Sequence, residues 1–533
     1  MANTLAVYRR LPHNVAMLLI YPPVAKPCEP PAGIARLAGT LQTAGVPCRL
    51  LDANLEGLLW LLGQPAAADT WTRRAAAARE RHLAALRDPR SCGTFDRYGR
   101  AVRDLNRLAA MAGGGHGAIV GLADYQQESL SPLRSADLIR AAEEPQRNPF
   151  FPWFSTRLSD LIKEGAAGPA RIVGFSLNFL GQALTTFAMV GFLKLQYPDL
   201  TIVLGGGLVT SWLRRPVWRN PFAGLVDRLI DGPGELPLLE LAGVAAGGPA
   251  LPAYDGLPLA DYLSPGPILP YSAAAGCWWN RCSFCPERAE GTLYRPVPVR
   301  QALAELRTLA DRHRPSLIHL LDNAVSPALL RGLADHPPGA PWYGFVRFGE
   351  ELADPAFCRA LRRSGCVMLK LGLESGDQEV LDRLAKGIDL ATASRVLDNL
   401  REAGIGVYLY LLFGTPAETE AAARRTLQFT VRHHEAITFL NLAIFNMPTA
   451  GEEADALGTA PFYDGDLSLY TGFTHPAGWD RLQVRRFLDR EFRRAPEVAA
   501  ILRRDPPIFT SNHAPFFTPA FRERRPPLGS SGE

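Results

Sequence analysis

Two periodicities alternate along this chain. Residues 14–21 (NVAMLLIY) are a short apolar run that stops at Pro22-Pro23, the pattern of a buried strand. Apolar positions at helical spacing follow over 34–44 and end at Gly45; 46–51 then reads as a second strand with Asp52 at its carboxyl end. A β–α–β start of this kind predicts a parallel sheet. The sheet resumes with strands at 171–177 and 201–206, a helix between them up to about Lys194, and a further strand within 225–235. Residues 58–169 break the pattern: Ala- and Arg-rich helical stretches joined by Gly and Pro predict a helical insertion.

A Pro/Gly-rich segment, GGPALPAYDGLPLADYLSPGP, separates this half from a second alternating region. Strands are predicted at 316–322, 341–348, 367–375, 407–414 and 437–445, with helices between them. That order predicts a parallel (βα) barrel or half-barrel, with its chemistry at the carboxyl ends of the strands. Residues 448–533 are irregular apart from one basic helix (DRLQVRRFLDREFRRA) and end in RRPPLGSSGE, a tail expected to be disordered. The expected fold class is α/β: a doubly wound, Rossmann-like domain over 1–250 carrying the 58–169 insertion, a barrel over 251–447, and a covering region over 448–533.

Composition narrows the function classes. The 533 residues are 47% hydrophobic and 21% charged, ordinary for a globular chain with a large core. With 57 basic and 53 acidic residues the net charge is +4, too small to favour a nucleic-acid partner. No apolar run reaches the ~18 residues of a membrane span. The first apolar run ends at Tyr21-Pro22-Pro23 without a small-residue cleavage site, so a signal peptide is not expected. Eight cysteines in such a chain are too sparse for a disulfide scaffold, and the expectation is a cytoplasmic, reducing compartment.

Three of those cysteines lie within nine residues, as Gly276-Cys277-Trp278-Trp279-Asn280-Arg281-Cys282-Ser283-Phe284-Cys285-Pro286. Three thiols at C-x4-C-x2-C spacing point to a metal centre. A structural zinc site needs a fourth ligand, and the next candidates, His313 and Cys358, do not fall at a knuckle spacing. An iron–sulfur cluster with one iron left open accounts for three ligands better; zinc and merely buried cysteines are the alternatives.

This segment resembles the three-cysteine loop of the radical SAM superfamily, although the usual spacing is C-x3-C-x2-C. The resemblance implies a partial (βα)6 barrel, a 4Fe-4S cluster on Cys277, Cys282 and Cys285, and S-adenosyl-L-methionine (SAM) chelated by the open iron. Phe284 stands where the family has an aromatic residue before the last cysteine. LLDNAVS (320–326), with Asp322, FVRF with Arg347, LGLESGDQEVLDRLAKG (371–387) with Glu374 and Ser375, and LLFGTPAET (411–419) with Gly414 follow in the family's order. By resemblance, Phe284, Asp322, Arg347, Glu374, Ser375 and Gly414 would lie at the SAM site, Arg347 at its carboxylate.

The first half resembles the cobalamin-binding domain fused to many radical SAM enzymes, on residues 21–54, GFSLNF (174–179), LGGGLVT (204–210) and DGPGE (231–235). Ser176, Gly205, Gly206 and Gly207 would then line the cobalamin tail. The stretch Asp52-Ala53-Asn54-Leu55-Glu56-Gly57 has asparagine where D-x-H-x-x-G domains carry a cobalt-ligating histidine, and the 21–33 loop has no histidine, so lower ligation by imidazole is not expected.

The resemblance implies methylation of an unactivated carbon through a 5′-deoxyadenosyl radical and methylcobalamin. The substrate would be a small molecule or peptide, and the electron donor a protein such as flavodoxin or ferredoxin. Cyclisation or rearrangement without methyl transfer is the second reading, and methylthiotransfer a third. A non-catalytic iron–sulfur or cobalamin sensor is the reading from another class. No cysteine follows Cys366, which leaves no ligands for a C-terminal auxiliary cluster.

Overall fold

Four successive fully buried apolar residues, Met17 to Ile20, require a sheet covered on both faces, and they form β1 (Met17–Tyr21). The computed structural model describes residues 16–65, 69–90, 95–163, 170–245, 247–248, 250–451, 454, 456–506 and 514–517. Asn14 and Val15, Cys92, His513 and the 524–533 tail lie outside these. The chain divides into two compact units: 1–77, 105–261 and 465–467 in one, and 78–104, 262–464 and 468–533 in the other.

In the first unit β1 lies between β2 (Cys48–Asp52) and β3 (Ile172–Ser176); β4 (Thr201–Gly205) and the short β5 (Arg228–Leu229) complete the sheet. All pairings are parallel, and the strand order is 2-1-3-4-5. The order reverses between β1 and β3, where an open α/β sheet leaves a crevice at its carboxyl edge. Helices α1 (Ala32–Thr43), α2 (Ala53–Leu62), α3 (Leu180–Gln196), α4 (Gly207–Leu213) and α5 (Glu235–Ala242) connect or follow these strands. Asp52 ends β2 and caps α2 by accepting the Leu55 amide at 2.9 Å. The described residues of the 58–169 region include several helices and also hold a small antiparallel hairpin, Ala118–Val120 with Tyr125–Gln127.

In the second unit six parallel strands stand side by side in sequence order: β6 (Ile268–Tyr271), β7 (Leu317–Leu320), β8 (Trp342–Val346), β9 (Cys366–Glu374), β10 (Gly406–Phe413) and β11 (Phe439–Ile444). The connecting helices are α6 (Val299–His313), α7 (Pro327–Asp335), α8 (Pro355–Arg363), α9 (Gln378–Arg383), α10 (Leu390–Ala403) and α11 (Glu420–Arg432). Ser326, Asp354, Asp377, Asp389 and Thr419 start five of them by accepting a first-turn amide. A cluster of Ile268, Leu317, Tyr343, Met368, Tyr408 and Phe439 with Ala514 packs the amino-terminal half of the sheet. The carboxyl ends carry polar side chains instead. Beyond β11 come a three-stranded antiparallel sheet (Met447–Pro448, Tyr470–Phe473, Thr459–Pro461) and α12 (Arg481–Arg490), the basic helix read from the sequence. Among the described residues no helix is long and apolar enough to cross a membrane.

Candidate functional site

The chain leaves β6 into the cysteine loop, whose base is closed by an antiparallel ribbon pairing Ala275 with Arg295 and Ala274 with Pro296. Gly276 turns there at φ +72°, and an added Cβ would lie 2.6 Å from the Leu293 carbonyl oxygen, so only glycine fits. Cys282 is buried; Cys277 and Cys285 are half-buried. Cys285 caps a short helix, Pro286–Ala289, and its thiol is pushed up by burial. The amides of Arg288 and Glu287 oppose that rise, while Cys282 and Cys277 add to it. The loop rests on the segment after α9: Ser283 donates its amide to the Leu384 carbonyl at 3.0 Å, and the Trp279 indole donates to the Ala385 carbonyl at 3.0 Å. Phe284 packs on Val380, Leu384 and Ala422, with the Lys386 ammonium 5.5 Å from its ring centroid.

The strand ends bring the other expected residues to the same rim. Glu374 ends β9 after a register break and sits at φ +70°, a conformation most non-glycine residues avoid. Its Oε1 accepts from Lys386 Nζ at 2.7 Å, both side chains nearly buried. Gly372 makes room for that pair: an added Cβ would lie 2.5 Å from Glu374 Oε1 and 3.0 Å from Lys386 Nζ. Arg347, just past β8, donates from Nη1 to Cys282 Sγ at 3.9 Å and from Nη2 to the Lys386 carbonyl. Asp322 accepts the Ala273 amide at 3.1 Å and so holds the start of the cysteine loop; burial pushes its carboxyl up to about 6 against the pull of neighbouring amides. Ser375 is fully buried, its hydroxyl 3.2 Å from Thr426 Oγ1 and accepting the Asp377 amide at 3.2 Å, so it fixes the turn behind Glu374. Gly414, at φ +77°, donates its amide to Glu418 Oε2.

In the first unit, the carboxyl edge between β1 and β3 is lined by the 22–31 loop and by residues 176–179. Gln182 ties the two sides: its Nε2 donates to the Pro22 carbonyl at 2.8 Å, and its Oε1 accepts the Asn178 and Phe179 amides. Asn178 in turn donates to Ser176 Oγ at 3.0 Å and accepts the Gly207 amide at 2.9 Å. Gly206 has φ +105°, and an added Cβ would lie 2.5 Å from the Leu177 carbonyl oxygen. Gly205 ends β4 beside it. Phe179 and Leu180 stand 56% and 38% exposed at this edge, unusual for large apolar side chains. Asn54, at the position compared with a cobalt-ligating histidine, is buried and accepts the Ala25 amide at 2.8 Å, which is a structural role. A separate cavity of about 400 Å³, walled by Tyr125, Gln127, Arg147 and Asn148 among others, contains none of the residues singled out from the sequence.

Comparison with known proteins bears on the rim first. Residues 271–430 match the Radical SAM superfamily, a span that runs from the last residue of β6 through most of α11. This part of the chain is similar to a radical SAM domain. Two curated relatives are an uncharacterized methyltransferase of Pyrococcus horikoshii, 24% identical over 190 residues, and the bacteriochlorophyllide d C-12(1)-methyltransferase of Chlorobaculum tepidum, 26% identical over 176 residues. They cover 34% and 31% of this chain, and the chain spans only 40% and 38% of their lengths. Among solved structures, the radical SAM methyltransferase TsrM of Kitasatospora setae, with cobalamin and a 4Fe-4S cluster bound, aligns over 85% of this chain and 81% of its own. Its TM-score is 0.50 at 16% identity, a likeness of fold.

The donor set of the radical SAM domain fits a cluster. Among the described residues no three His, Cys, Asp or Glu side chains converge on one ion position. A cubane does not ask for that, because each thiolate takes a different iron. Two buried polar atoms of the loop, Trp278 Nε1 and Ser283 Oγ, have no partner, and a group rich in acceptors is what they lack. The remaining described cysteines are poor ligands: burial pushes Cys48 and Cys358 up to about 12 and Cys366 higher, and Cys28 is buried in the first unit. Sequence reading missed Lys386, Trp279, Asn178, Gln182 and Glu418, whose roles appear only once distant segments meet. His433, at the carboxyl end of α11, is only 8% exposed, with its ring tilted against Phe429 and 3.0 Å from Ser394 Oγ. The reason is that α11 turns this face toward α10.

Proposed function

We propose that the chain is a cobalamin-dependent radical SAM methyltransferase that acts on an unactivated carbon of a small molecule or peptide. The observation that carries this reading is the rim of the radical SAM domain, where three thiols, the Arg347 guanidinium and the buried Glu374–Lys386 pair stand together. A 4Fe-4S cluster bound there would supply the electron for SAM cleavage, and cobalamin in the first unit the methyl group. Cys277, Cys282 and Cys285 would hold the cluster; Asp322 and the Ala275–Arg295 ribbon hold the loop that presents them. Glu374, held in place by its contact with Lys386 Nζ, offers a carboxylate oxygen to hydroxyl or ammonium groups of SAM. Phe284 and Gly414 would border the SAM at the same rim, the one by its ring and the other by a bare backbone. In the first unit the edge at Ser176, Gly205, Gly206 and Gly207, with Phe179 and Leu180 exposed beside it, suits a large, partly apolar cofactor.

The names of the two curated relatives and the cofactors of the Kitasatospora setae enzyme support methyl transfer. The sparse cysteine content goes with a reducing, cytoplasmic setting and a flavodoxin- or ferredoxin-type electron donor. The test is anaerobic reconstitution with iron, sulfide and cobalamin, followed by reductant and SAM. Iron–sulfur and corrinoid absorbance with release of 5′-deoxyadenosine is the expected result. A loaded protein that leaves SAM intact would refute the enzymatic reading, and products lacking an added CH₂ would refute methyl transfer.

A further inference from the structure

The resemblance assigns Arg347 to the carboxylate of SAM, yet the structure commits its guanidinium elsewhere. One nitrogen donates to Cys282 Sγ at 3.9 Å, within the reach of a sulfur acceptor, and another donates to the Lys386 carbonyl. The guanidinium carbon lies 4.2 Å from the ring centroid of Trp279 and 5.8 Å from that of Trp278. Cation–π contact and two hydrogen bonds fix a side chain that would otherwise have many rotamers.

The platform is itself built. Trp279 lies inside the C-x4-C interval, the one that is a residue longer than usual. Three consecutive residues receive it and Arg347: the Ala385 carbonyl takes the indole N–H, the Lys386 carbonyl takes the guanidinium, and Gly387 leaves the space for the ring. A Cβ on Gly387 would lie 2.2 Å from Trp279 Cζ2, and φ there is +63°. Arg281 adds a second guanidinium 5.1 Å from the Trp279 centroid.

We propose that Arg347, clamped by Trp279 and the 385–387 turn, is a positioning residue that raises the reduction potential of the cluster held by Cys277, Cys282 and Cys285. The idea rests on the cluster reading above. Adding an electron makes a cluster more negative, and a fixed cation hydrogen-bonded to one of its sulfurs stabilises that state over the oxidised one. The planar guanidinium presents its donors to the sulfur and to the carbonyl in a fixed fork, which a single ammonium cannot do. The lengthened loop thus carries its own electrostatic partner.

The experiment uses the full chain, reconstituted anaerobically with iron and sulfide and studied without SAM, so that any contact with SAM is silent. Midpoint potentials come from redox titrations followed by electron paramagnetic resonance. In R347M the potential shifts to more negative values at unchanged iron and sulfide content. R347K keeps the charge but not the planar fork, and shifts the same way by less; it carries the test if R347M does not load. W279A, which removes the platform, also shifts negative, and its effect is not additive with R347M. Loaded variants whose potential equals that of the wild type overturn the proposal, the more so if their affinity for SAM has fallen, which returns Arg347 to the carboxylate. A wild-type chain that binds no iron–sulfur cluster defeats the earlier reading instead, so the two failures are told apart.

Discussion

At the scale of single residues, the rim is governed by what burial does to charge. Glu418 is fully buried behind Gly414, and its Oε2 accepts the Gly414 amide and the Trp479 indole N–H, the latter at 2.9 Å. Its Oε1 has no partner. Burial outweighs the two donors and pushes the carboxyl up to about 7. A folded carboxyl above its ordinary value favours the folded state fully at low pH; that contribution is lost as pH rises from the ordinary carboxylate range through about 7. The loss amounts to a few kcal/mol at most, because each tenfold difference in proton affinity between the folded and unfolded chain is worth about 1.4 kcal/mol. E418Q keeps the shape without the charge. The wild type should therefore lose melting temperature relative to E418Q between pH 5 and pH 8, and parallel thermal curves for the two across that range would contradict the buried-acid account. His475 steadies the same corner, with Nε2 2.8 Å from the Thr415 carbonyl oxygen and Nδ1 accepting the Ala477 and Trp479 amides, which fixes one neutral tautomer.

At the scale of elements, the strands that read clearly are those whose apolar residues are contiguous: β1, β3, β4, β7, β8 and β11 fall within the stretches expected for them, and β9 and β10 each begin one residue earlier than theirs. β6 (Ile-Leu-Pro-Tyr) does not stand out in the chain, because four residues with an internal proline carry little periodicity. The 118–127 hairpin escapes for a similar reason, having three residues per strand. The site divides along the same line. The cysteines and the ends of β9 and β10 stand out in the chain itself, because spacing and strand-end glycines are local. The Lys386 partner of Glu374 depends on a register break in β9, and the Asn178 link from Ser176 to Gly207 depends on strand order, neither of which is written locally. That link gives an element-level expectation. Gly206 begins the turn from β4 into α4, and G206A would force a Cβ onto the Leu177 carbonyl at an unfavourable φ, costing about 1–3 kcal/mol. Corrinoid uptake, followed by absorbance after gel filtration, should fall in G206A while iron content is unchanged; undiminished uptake would place the cofactor away from this edge.

At the scale of the whole molecule, each unit owns its sheet and its core, so the two cofactors proposed for it should load independently. C282S removes the most buried of the three thiols and should abolish stoichiometric iron–sulfur loading, yet leave corrinoid binding within about twofold, since no first-unit residue depends on it. Metal analysis and corrinoid titration on the same preparation decide this. Loss of both cofactors together would mean that the units do not fold as separately as their packing implies.

The ribbon at the foot of the cysteine loop has one more consequence, for the order in which the protein is assembled. Because Ala275 pairs with Arg295, the intervening segment is already a closed ring, and the roughly 2–3 kcal/mol of entropy that closing ~20 residues costs is met during folding. On the proposed function, metal would arrive at a chelator whose arms are already drawn in: once one thiolate had bound, the other two would follow as intramolecular steps. Maturation would on that account be a matter of delivery to a folded apoprotein.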